Sequence, residues 1–589
     1  MSENNQLDLH DLRHSAEHIL TLAMLRLFPN QFLPAMGPAT DDGFYFDFEP
    51  LNNFKISEDD FPKIEAEMAK IVKENLPIIR QEISLEEAKK IFANNPYKME
   101  WLESITNREE IITTYTIGEF VDLCAGPHVR YTSKVKAFKI LSIAGAYWHG
   151  DEKNKMLTRI YGTAFESKEK LDQFNYIFEE AKKRDHRKLG KELGLFTFSE
   201  LIGSGLPLYT PKGAFIRLSL NNYVESIQIK QGYTQVWTPQ IAKAKLFQIS
   251  GHYHKYKDNM FRVVSNYSDE EFFLKPMNCP QHTQIFAAQA HSYRDLPLRF
   301  ADFAMLYRDE KPGELNGLAR VRAFSQDDCH IFCTEEQVDQ EIDTALKMTK
   351  EIMDTFGLKY KYRLSTRDLQ HPEKYLGDPA TWDRVEKWAV DIMKRNNIEY
   401  FDGPGEAAFY APKMDLIATD ALGREWQLST VQIDFVMPQR FELEYTAADG
   451  TKKRPVMLHR AIIGSPERFM MIMLEHFAGA FPTWISPVQV KIIPITDGQL
   501  EYAKSIEKTL RENDIRIELD DKSETMQNKI RNAAGEKIPY MIIIGGREEE
   551  NKTISVRQRD GQDLGNMSLD DFINQIKDQI TKKALNLIK

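Results

Sequence analysis

Three groups of residues in this chain have the types and spacing to do chemistry. The first is the stretch Arg308 to His330, RDEKPGELNGLARVRAFSQDDCH. It reads as strand, turn, strand, with Lys311-Pro312-Gly313-Glu314 and Asn316-Gly317 supplying the turn chemistry. From Arg320 the pattern has period two. In one extended strand Arg320, Arg322, Phe324, Gln326, Asp328 and His330 would share a face about 33 Å long, at ~3.3 Å per residue. That face carries cation, aromatic ring, amide, carboxylate and imidazole in succession. It suits a triphosphate and a purine at one end and a small polar ligand at the other. The second group is His14 and His18, four apart, with the distant run Asp122-Leu123-Cys124-Ala125-Gly126-Pro127-His128. HxxxH with CxxxH has the residue types to bind zinc, or to form a metal-free site for general acid–base work. The third is Cys279, in Met277-Asn278-Cys279-Pro280, with His330 and His459. The types suit a metal, but such separations are not a zinc signature by themselves.

The elements that must hold these residues follow from periodicity. Residues 9 to 28 read as a helix with an apolar stripe of Leu12, Ala16, Ile19, Leu20, Ala23 and Leu27. At about 100° per residue, His14 and His18 fall nearly opposite the stripe, which predicts a position outside the core. The charged run ESKEKLDQFNYIFEEAKKRDHRKLGKELGLF reads as a solvated connecting helix. Residues 213 to 231 form another amphipathic helix, followed by GYTQVWTP with Pro239 ending a strand. Residues 334 to 400 carry two helical stretches at the flank of a sheet. GEAAFYAPKMD offers Tyr410 and Lys413, and REWQLSTVQIDF offers Gln427 and Gln432. Residues 456 to 475 read as strand, turn, helix. Ser465 is the N-cap, Pro466 opens the first turn, and Arg468 stands where a capping box would want Glu or Gln. From Val488 strands and helices alternate, which implies a mixed sheet with helices packed against it.

The composition sets bounds. A chain of 589 residues implies several domains. With 42% hydrophobic and 28% charged residues it is an ordinary globular protein, and a net charge of −11 argues against a general nucleic-acid binder. No run of eighteen apolar residues and no signal peptide is visible, so no membrane is expected. The four cysteines, Cys124, Cys279, Cys329 and Cys333, do not form a disulfide framework, which fits a cytoplasmic location.

The stretch from Arg308 resembles motif 2 of the class II aminoacyl-tRNA synthetases, and GYTQVWTP and the segment around Ser465 resemble motifs 1 and 3. In detail nearly the whole chain is similar to the threonyl-tRNA synthetase family. The resemblance implies an α+β multidomain fold. Residues 1–165 would be an α+β editing domain, 166–194 a linker helix, 195–485 the antiparallel-sheet catalytic core, and 486–589 an α/β anticodon-binding domain. The family carries a small ubiquitin-like domain ahead of the editing domain, and His14 comes too early to leave room for one.

By the same resemblance, Arg308, Glu310, Arg320, Phe324, Gln427 and Arg468 bind ATP with Mg²⁺, and Arg308, Gln326, Lys413 and Arg468 are catalytic. Arg308 would hold the α-phosphate, Glu310 the adenine amino group, Phe324 the adenine face and Arg468 the γ-phosphate end. Met277, Asp328, Tyr410, Gln432 and Ser465 would bind threonine. Cys279, His330 and His459 would hold one Zn²⁺, leaving a position open for substrate. His14, His18, Lys98, Asp122, Cys124 and His128 would edit mischarged seryl-tRNA through water. Ser523, Arg531, Glu548 and Arg557 match anticodon-reading positions, with Ser523 standing where relatives often have Asn. Ala407 and Ala411 stand where the family commonly has glycine, and Leu428 where many relatives have cysteine. The implied activity is a homodimeric ligase joining L-threonine to tRNA(Thr) through threonyl-adenylate. The rivals are a prolyl or seryl enzyme of the same fold, a hydrolase working at His14, His18, Cys124 and His128, and an RNA-binding regulator without the chemistry.

Overall fold

The computed structural model describes residues 8–588 and divides into two compact units, one ending at Glu179 and one beginning at Glu180. In the first unit the helix Leu9–Leu27 is capped by Asp8, whose side chain accepts from His10 N–H. Its apolar stripe packs on a four-stranded sheet of Phe32–Pro34, Phe44–Pro50, Met156–Phe165 and Ala137–Tyr147. The position outside the core expected for the His14–His18 face does not hold for His18, which is 1% exposed. Arg13, Ser15, Glu17, His18 and Thr21 are buried as well. The helix is central to its unit, because a second, three-stranded sheet (Ile78–Glu82, Thr113–Ile117, Phe120–Leu123) brings Asp122 to its polar side. Lys98 comes from the helix Pro96–Asn107, which starts at an Asn95 cap with Pro96 in the first turn.

The connecting run is two helices, not one. Lys168–Arg184 ends, and His186–Glu192 begins at an Asp185 N-cap that accepts from Arg187 N–H. The first of these has no buried residue. In the second, His186, Leu189 and Gly190 are buried.

The second unit is built on an eight-stranded sheet. From one edge its strands are Thr234–Gln235, Leu298–Asp302, Asp328–Cys333, Val456–Ala461, Glu425–Asp434, Lys413–Thr419, Lys359–Thr366 and Tyr400–Pro404. All pairs except the two at the edges are antiparallel. The helices Pro211–Lys230, Val338–Phe356 and Pro466–His476 supply its apolar layer. Residues 334 to 400 thus contribute strand Lys359–Thr366 to the sheet as well as the two flanking helices. The strand expected from Arg320 to His330 is broken. Ala323–Ser325 pairs with Met305–Tyr307 in a separate ribbon, and Asp328–Cys333 lies in the main sheet. Buried Asp327 takes up the break: its Oδ2 accepts the backbone N–H of Ile462 at 2.6 Å and of Ile463 at 3.3 Å. Beyond the break both faces are enclosed: Asp327, Asp328, Cys329 and His330 are all buried.

The C-terminal part carries a five-stranded sheet in the order Ile517–Leu519, Val490–Pro494, Tyr540–Ile544, Ile554–Gln558, Asp563–Met567. The first two pairings are parallel and the last two antiparallel, which makes it mixed, as expected from the alternating pattern.

Candidate active sites

The sheet register creates a rank of side chains that no local spacing encodes. Phe300 pairs with His330, His330 with His459, His459 with Gln432, Gln432 with Lys413, and Lys413 with Ser365. Direct cross-strand partners point to the same face. Cys279 joins this rank from the start of the helix Cys279–Ala287, giving a buried Cys–His–His set whose donor atoms lie within 4.8 Å of one another. His330 Nε2 is 3.0 Å from His459 Nδ1. Each imidazole is held from behind: His459 Nε2 lies 2.8 Å from Asp434 Oδ2, and His330 Nδ1 lies 2.8 Å from Nδ1 of buried His282. A set of one thiol and two imidazoles, buried, with its outer nitrogens oriented by a carboxylate and a second imidazole, fits a tetrahedral zinc with one position left over. Burial holds the Cys279 thiol well above its usual range, with the Asp328 and Asp434 carboxylates acting the same way. A thiolate there therefore needs a cation.

The other residues expected around threonine gather near this set. Asp328 is buried, and its Oδ2 accepts Asn278 N–H at 3.3 Å. Tyr410 stacks its ring 4.9 Å from that of His459. Met277 packs on the cluster of Cys279 and Phe332. Gln432 donates to Thr430 Oγ1 at 3.4 Å.

Beside the rank opens a cavity of about 440 Å³ whose lining includes Arg308, Glu310, Phe324, Gln326, Gln427 and Arg468, along with Arg320 and Ser465. Arg308 lies over Phe324, 5.0 Å from the ring centroid. Desolvation lowers the pKa of both Arg308 and Arg468, and for Arg468 the neighbouring Arg308 and Arg320 add to it. Crowded, desolvated cations of this kind are ready for an anion. Glu310 is not open: its Oε2 accepts from Arg320 Nη2 at 2.8 Å and Nε at 3.0 Å. Ser465 caps the helix Pro466–His476 as expected, accepting Arg468 N–H at 3.4 Å. Gln427 and Lys413 meet at the fully buried Asp415. Gln427 Nε2 donates to Oδ1 at 2.8 Å, and Lys413 Nζ is 3.3 Å from Oδ2. Arg363 completes this group, donating to Asp415 Oδ2 and Gln427 Oε1 at 3.0 Å each. Sequence reasoning missed Arg363, Asp415, His282 and Asp434. Arg363, His282 and Asp434 each lie in a different strand or helix from the residue they hold, so no local pattern could have found them; Asp415 stands two residues from Lys413 on the same strand, and only its contact with Gln427 crosses to a neighbouring strand.

The first unit has its own cavity of about 290 Å³, lined by His14, Glu17, His18, Lys98, Asp122 and Cys124 among others. Cys124 Sγ is 3.3 Å from both His14 Nε2 and His128 Nε2. His14 Nδ1 bonds Pro127 O at 3.1 Å, and His128 Nδ1 bonds Ser15 Oγ, whose own proton goes to Asp11 O at 2.7 Å. These bonds put the protons on Nδ1 and leave both Nε2 atoms as acceptors. One thiol proton serves one of them, so the other keeps a free lone pair. His18 Nε2 is 3.7 Å from Asp122 Oδ2, and Asp122 is ion-paired with buried Lys98. Desolvation lowers the pKa of His14, His18 and His128 and pushes the Cys124 thiol up to about 12. At neutral pH the site therefore holds neutral bases and a neutral thiol. Glu17, absent from the sequence-based set, is buried at this cavity with its Oε2 unpartnered.

The four residues expected at the anticodon lie on separate elements. Ser523 precedes the helix Met526–Gly535, and Arg531 within it donates to Asn528 Oδ1 at 2.8 Å. Glu548 accepts Gly545 N–H at 2.8 Å at the start of Gly546–Asn551. Arg557 is 3.7 Å from Asp563 across the antiparallel pair.

Comparison with known proteins agrees with this geometry. Residues 261–477 match the "tRNA synthetase class II core domain (G, H, P, S and T)". Residues 489–579 match the "Anticodon binding domain", and 112–161 the "Threonyl and Alanyl tRNA synthetase second additional domain". A threonine–tRNA ligase of Rubrobacter xylanophilus is 47% identical over 580 residues, covering 98% of this chain and 89% of the relative. One from Clostridium novyi is 48% identical, covering 97% and 88%. A crystal structure of the RNA binding domain of threonyl-tRNA synthetase from Cryptosporidium parvum superimposes with a TM-score of 0.64 at 38% identity, covering 67% of this chain and 98% of that one.

Proposed function

The chain belongs to the threonyl-tRNA synthetase family, and from that premise we propose how its residues divide the family's work. The enzyme joins threonine to tRNA(Thr) at the expense of ATP and edits mischarged tRNA. We assign ATP to the cavity between Arg308 and Arg468, with Phe324 against the adenine and Glu310, Arg320 and Gln427 around the nucleotide. The observation that carries this is the pair of desolvated arginines, Arg308 and Arg468, lining one cavity, with Arg308 over the ring of Phe324. Displacement at the α-phosphorus shifts charge onto phosphate oxygens, and prepositioned cations stabilise it without reorganisation. Mg²⁺ accompanies the nucleotide as in the family. Lys413, Gln427 and Gln326 orient the amino-acid carboxylate toward that phosphorus, with Asp415 and Arg363 holding the first two in place.

Cys279, His330 and His459 would hold Zn²⁺, and when bound the ion supplies a Lewis-acid position for the substrate amino group and hydroxyl. Asp328 accepts the hydroxyl proton, while Met277, Tyr410 and Gln432 close the pocket around the small side chain; Ser465 lines the nucleotide cavity beside Arg468, and any contact with threonine would come from that side. In the first unit, the free Nε2 of His14 or His128 takes a proton from the hydrolytic water. Lys98 and Asp122 orient the ester, and His18 and Cys124 fix the floor. Ser523, Arg531, Glu548 and Arg557 are assigned to the anticodon.

Domain limits of 1–165, 166–194, 195–485 and 486–589 fit this division of labour. A homodimer is supported by exposed apolar side chains around the first motif. Trp237 is 87% exposed, and Leu218 and Ile229 on one face of the helix Pro211–Lys230 are 56% and 57% exposed. Among the described residues no helix is long and apolar enough to cross a membrane. The four free thiols support a reducing, cytoplasmic setting. The deciding assay is ATP–pyrophosphate exchange with each amino acid in turn. Threonine should dominate; exchange led by proline, or none with any amino acid, would overturn the reading.

A further inference from the structure

The connecting helix His186–Glu192 packs Leu189 on the catalytic core and sends one titratable side chain, His186, into it. His186 is 3% exposed. Its Nδ1 is 2.6 Å from Glu475 Oε1, and the same oxygen accepts the His186 backbone N–H at 3.0 Å. Its Nε2 accepts the backbone N–H of Leu318 at 3.1 Å. Leu318 belongs to the turn that carries Asn316-Gly317, and both Leu318 and Ala319 line the cavity assigned to ATP. The next carbonyl, Ala319 O, accepts from Arg468 Nε at 3.1 Å. Glu475 closes the far end of the relay with an ion pair to Arg424.

The relay has a fixed polarity. Burial acts to raise the Glu475 carboxyl, but the bonds from His186 and the pairing with Arg424 outweigh it and hold it below its usual range. An ionised carboxylate makes Nδ1 the donor, so Nε2 is left as an acceptor, which is what Leu318 N–H requires. Asp185, His186 and Glu475 have the types of a metal site, but both ring nitrogens of His186 are already bonded, so no lone pair remains for an ion. Gly317 is fitted to the imidazole. Its φ is +47°, and a Cβ there would lie 2.0 Å from His186 Nε2.

We propose that His186, oriented by Glu475, is a positioning residue for ATP: it holds the Gly317–Ala319 turn, and through Ala319 the guanidinium of Arg468, in the geometry that receives the nucleotide. It touches no reacting atom. The inference rests on reading the Arg308–Arg468 cavity as the ATP site.

The two halves of the imidazole can be separated by substitution. His186→Gln keeps an acceptor near the Nε2 position and should preserve the bond to Leu318. His186→Asn keeps a donor near the Nδ1 position for Glu475 and loses Leu318. In ATP–pyrophosphate exchange with the full chain, His186→Asn should raise KM for ATP roughly 3–10-fold, as for one lost hydrogen bond, with KM for threonine unchanged. His186→Gln should restore most of the loss. Gly317→Ala, which displaces the imidazole from the loop side, should give the His186→Asn signature, and the two combined should cost no more than either alone. This pair keeps the test open should one variant fold poorly. Wild-type KM for ATP in His186→Asn, or equal defects in the Asn and Gln variants, would overturn the proposal while leaving the ATP assignment standing. If Arg468→Ala also leaves KM and kcat unchanged, the ATP reading falls and the proposal falls with it.

Discussion

His330 and His459 stand directly opposite each other on neighbouring antiparallel strands, with His330 Nε2 3.0 Å from His459 Nδ1. Two imidazoles aim inner nitrogens at one point while Asp434 and His282 hold the outer ones. Together with Cys279, from the start of the helix Cys279–Ala287, this is a preformed three-ligand set in which strand pairing fixes the two imidazoles.

The first prediction concerns that set. The purified protein should hold one zinc per chain by elemental analysis. Cys279→Ser or His459→Ala should lose the metal and exchange activity together. Asp434→Asn, which keeps an oxygen for the N–H groups of Val436 and Met437, should bind zinc roughly 10–100-fold more weakly, because the carboxylate that orients the imidazole is lost. Full activity in a chelator-stripped preparation would exclude the assignment.

The second concerns phosphate charge. Arg308→Ala or Arg468→Ala should each lower exchange turnover by about 10²–10³, the cost of removing one preorganised donor. Steady-state exchange at saturating ATP measures it. Near-normal turnover in either variant would remove that arginine from the mechanism.

The third concerns selectivity. Valine matches threonine in shape and lacks the hydroxyl, so a site with a buried acceptor such as Asp328 should reject it by roughly 10⁴–10⁵. Serine lacks only a methyl, worth about 10–200-fold, and should be activated measurably. Relative kcat/KM values for the three amino acids decide it; valine activated as well as serine would mean that the hydroxyl is not read.

The fourth concerns the cavity at Cys124. Serine activated at that level has to be cleared, and replacing His14 and His18 together by Ala should let seryl-tRNA accumulate while threonine activation stays intact. Clearance of preformed seryl-tRNA by the double variant at the wild-type rate would dismiss the site.

The fifth is its pH dependence. His14, His18 and His128 face one another, Cys124, Asp122, Lys98 and Glu17, and desolvation leads in lowering all three imidazoles. An imidazole at the ordinary value of about 6.5 would lose roughly fourfold of its neutral form between pH 7.5 and 6. A lowered pKa keeps more of the base neutral over that window, so seryl-tRNA hydrolysis should fall by less than that fourfold. A fourfold or larger drop would mean that a solvated imidazole does the work.

Local pattern in the sequence determined many of the elements. The helix at Leu9–Leu27, the Ser465 cap with Pro466 behind it, and the alternating C-terminal strands and helices follow from periodicity and capping, which act within a few residues. Alternation also put Arg320, Phe324 and Gln326 on one wall of a cavity, although the strand itself breaks where Asp327 binds the backbone of Ile462 and Ile463. The tertiary structure alone decided what surrounds them. The face of the first helix that carries His14 and His18 was expected to lie outside the core, but a second sheet covers it, and burial turned His18 into a group held neutral. His330 and His459, 129 residues apart, meet through register, which depends on which strands pair and not on any short-range spacing. His186 lay in a charged run that reads as a solvated linker, yet a second helix starting at the Asp185 cap turns it into the core against Glu475 and Leu318. Periodicity tells which way a side chain leaves its own helix or strand; only the packing of one element on another tells what it meets there.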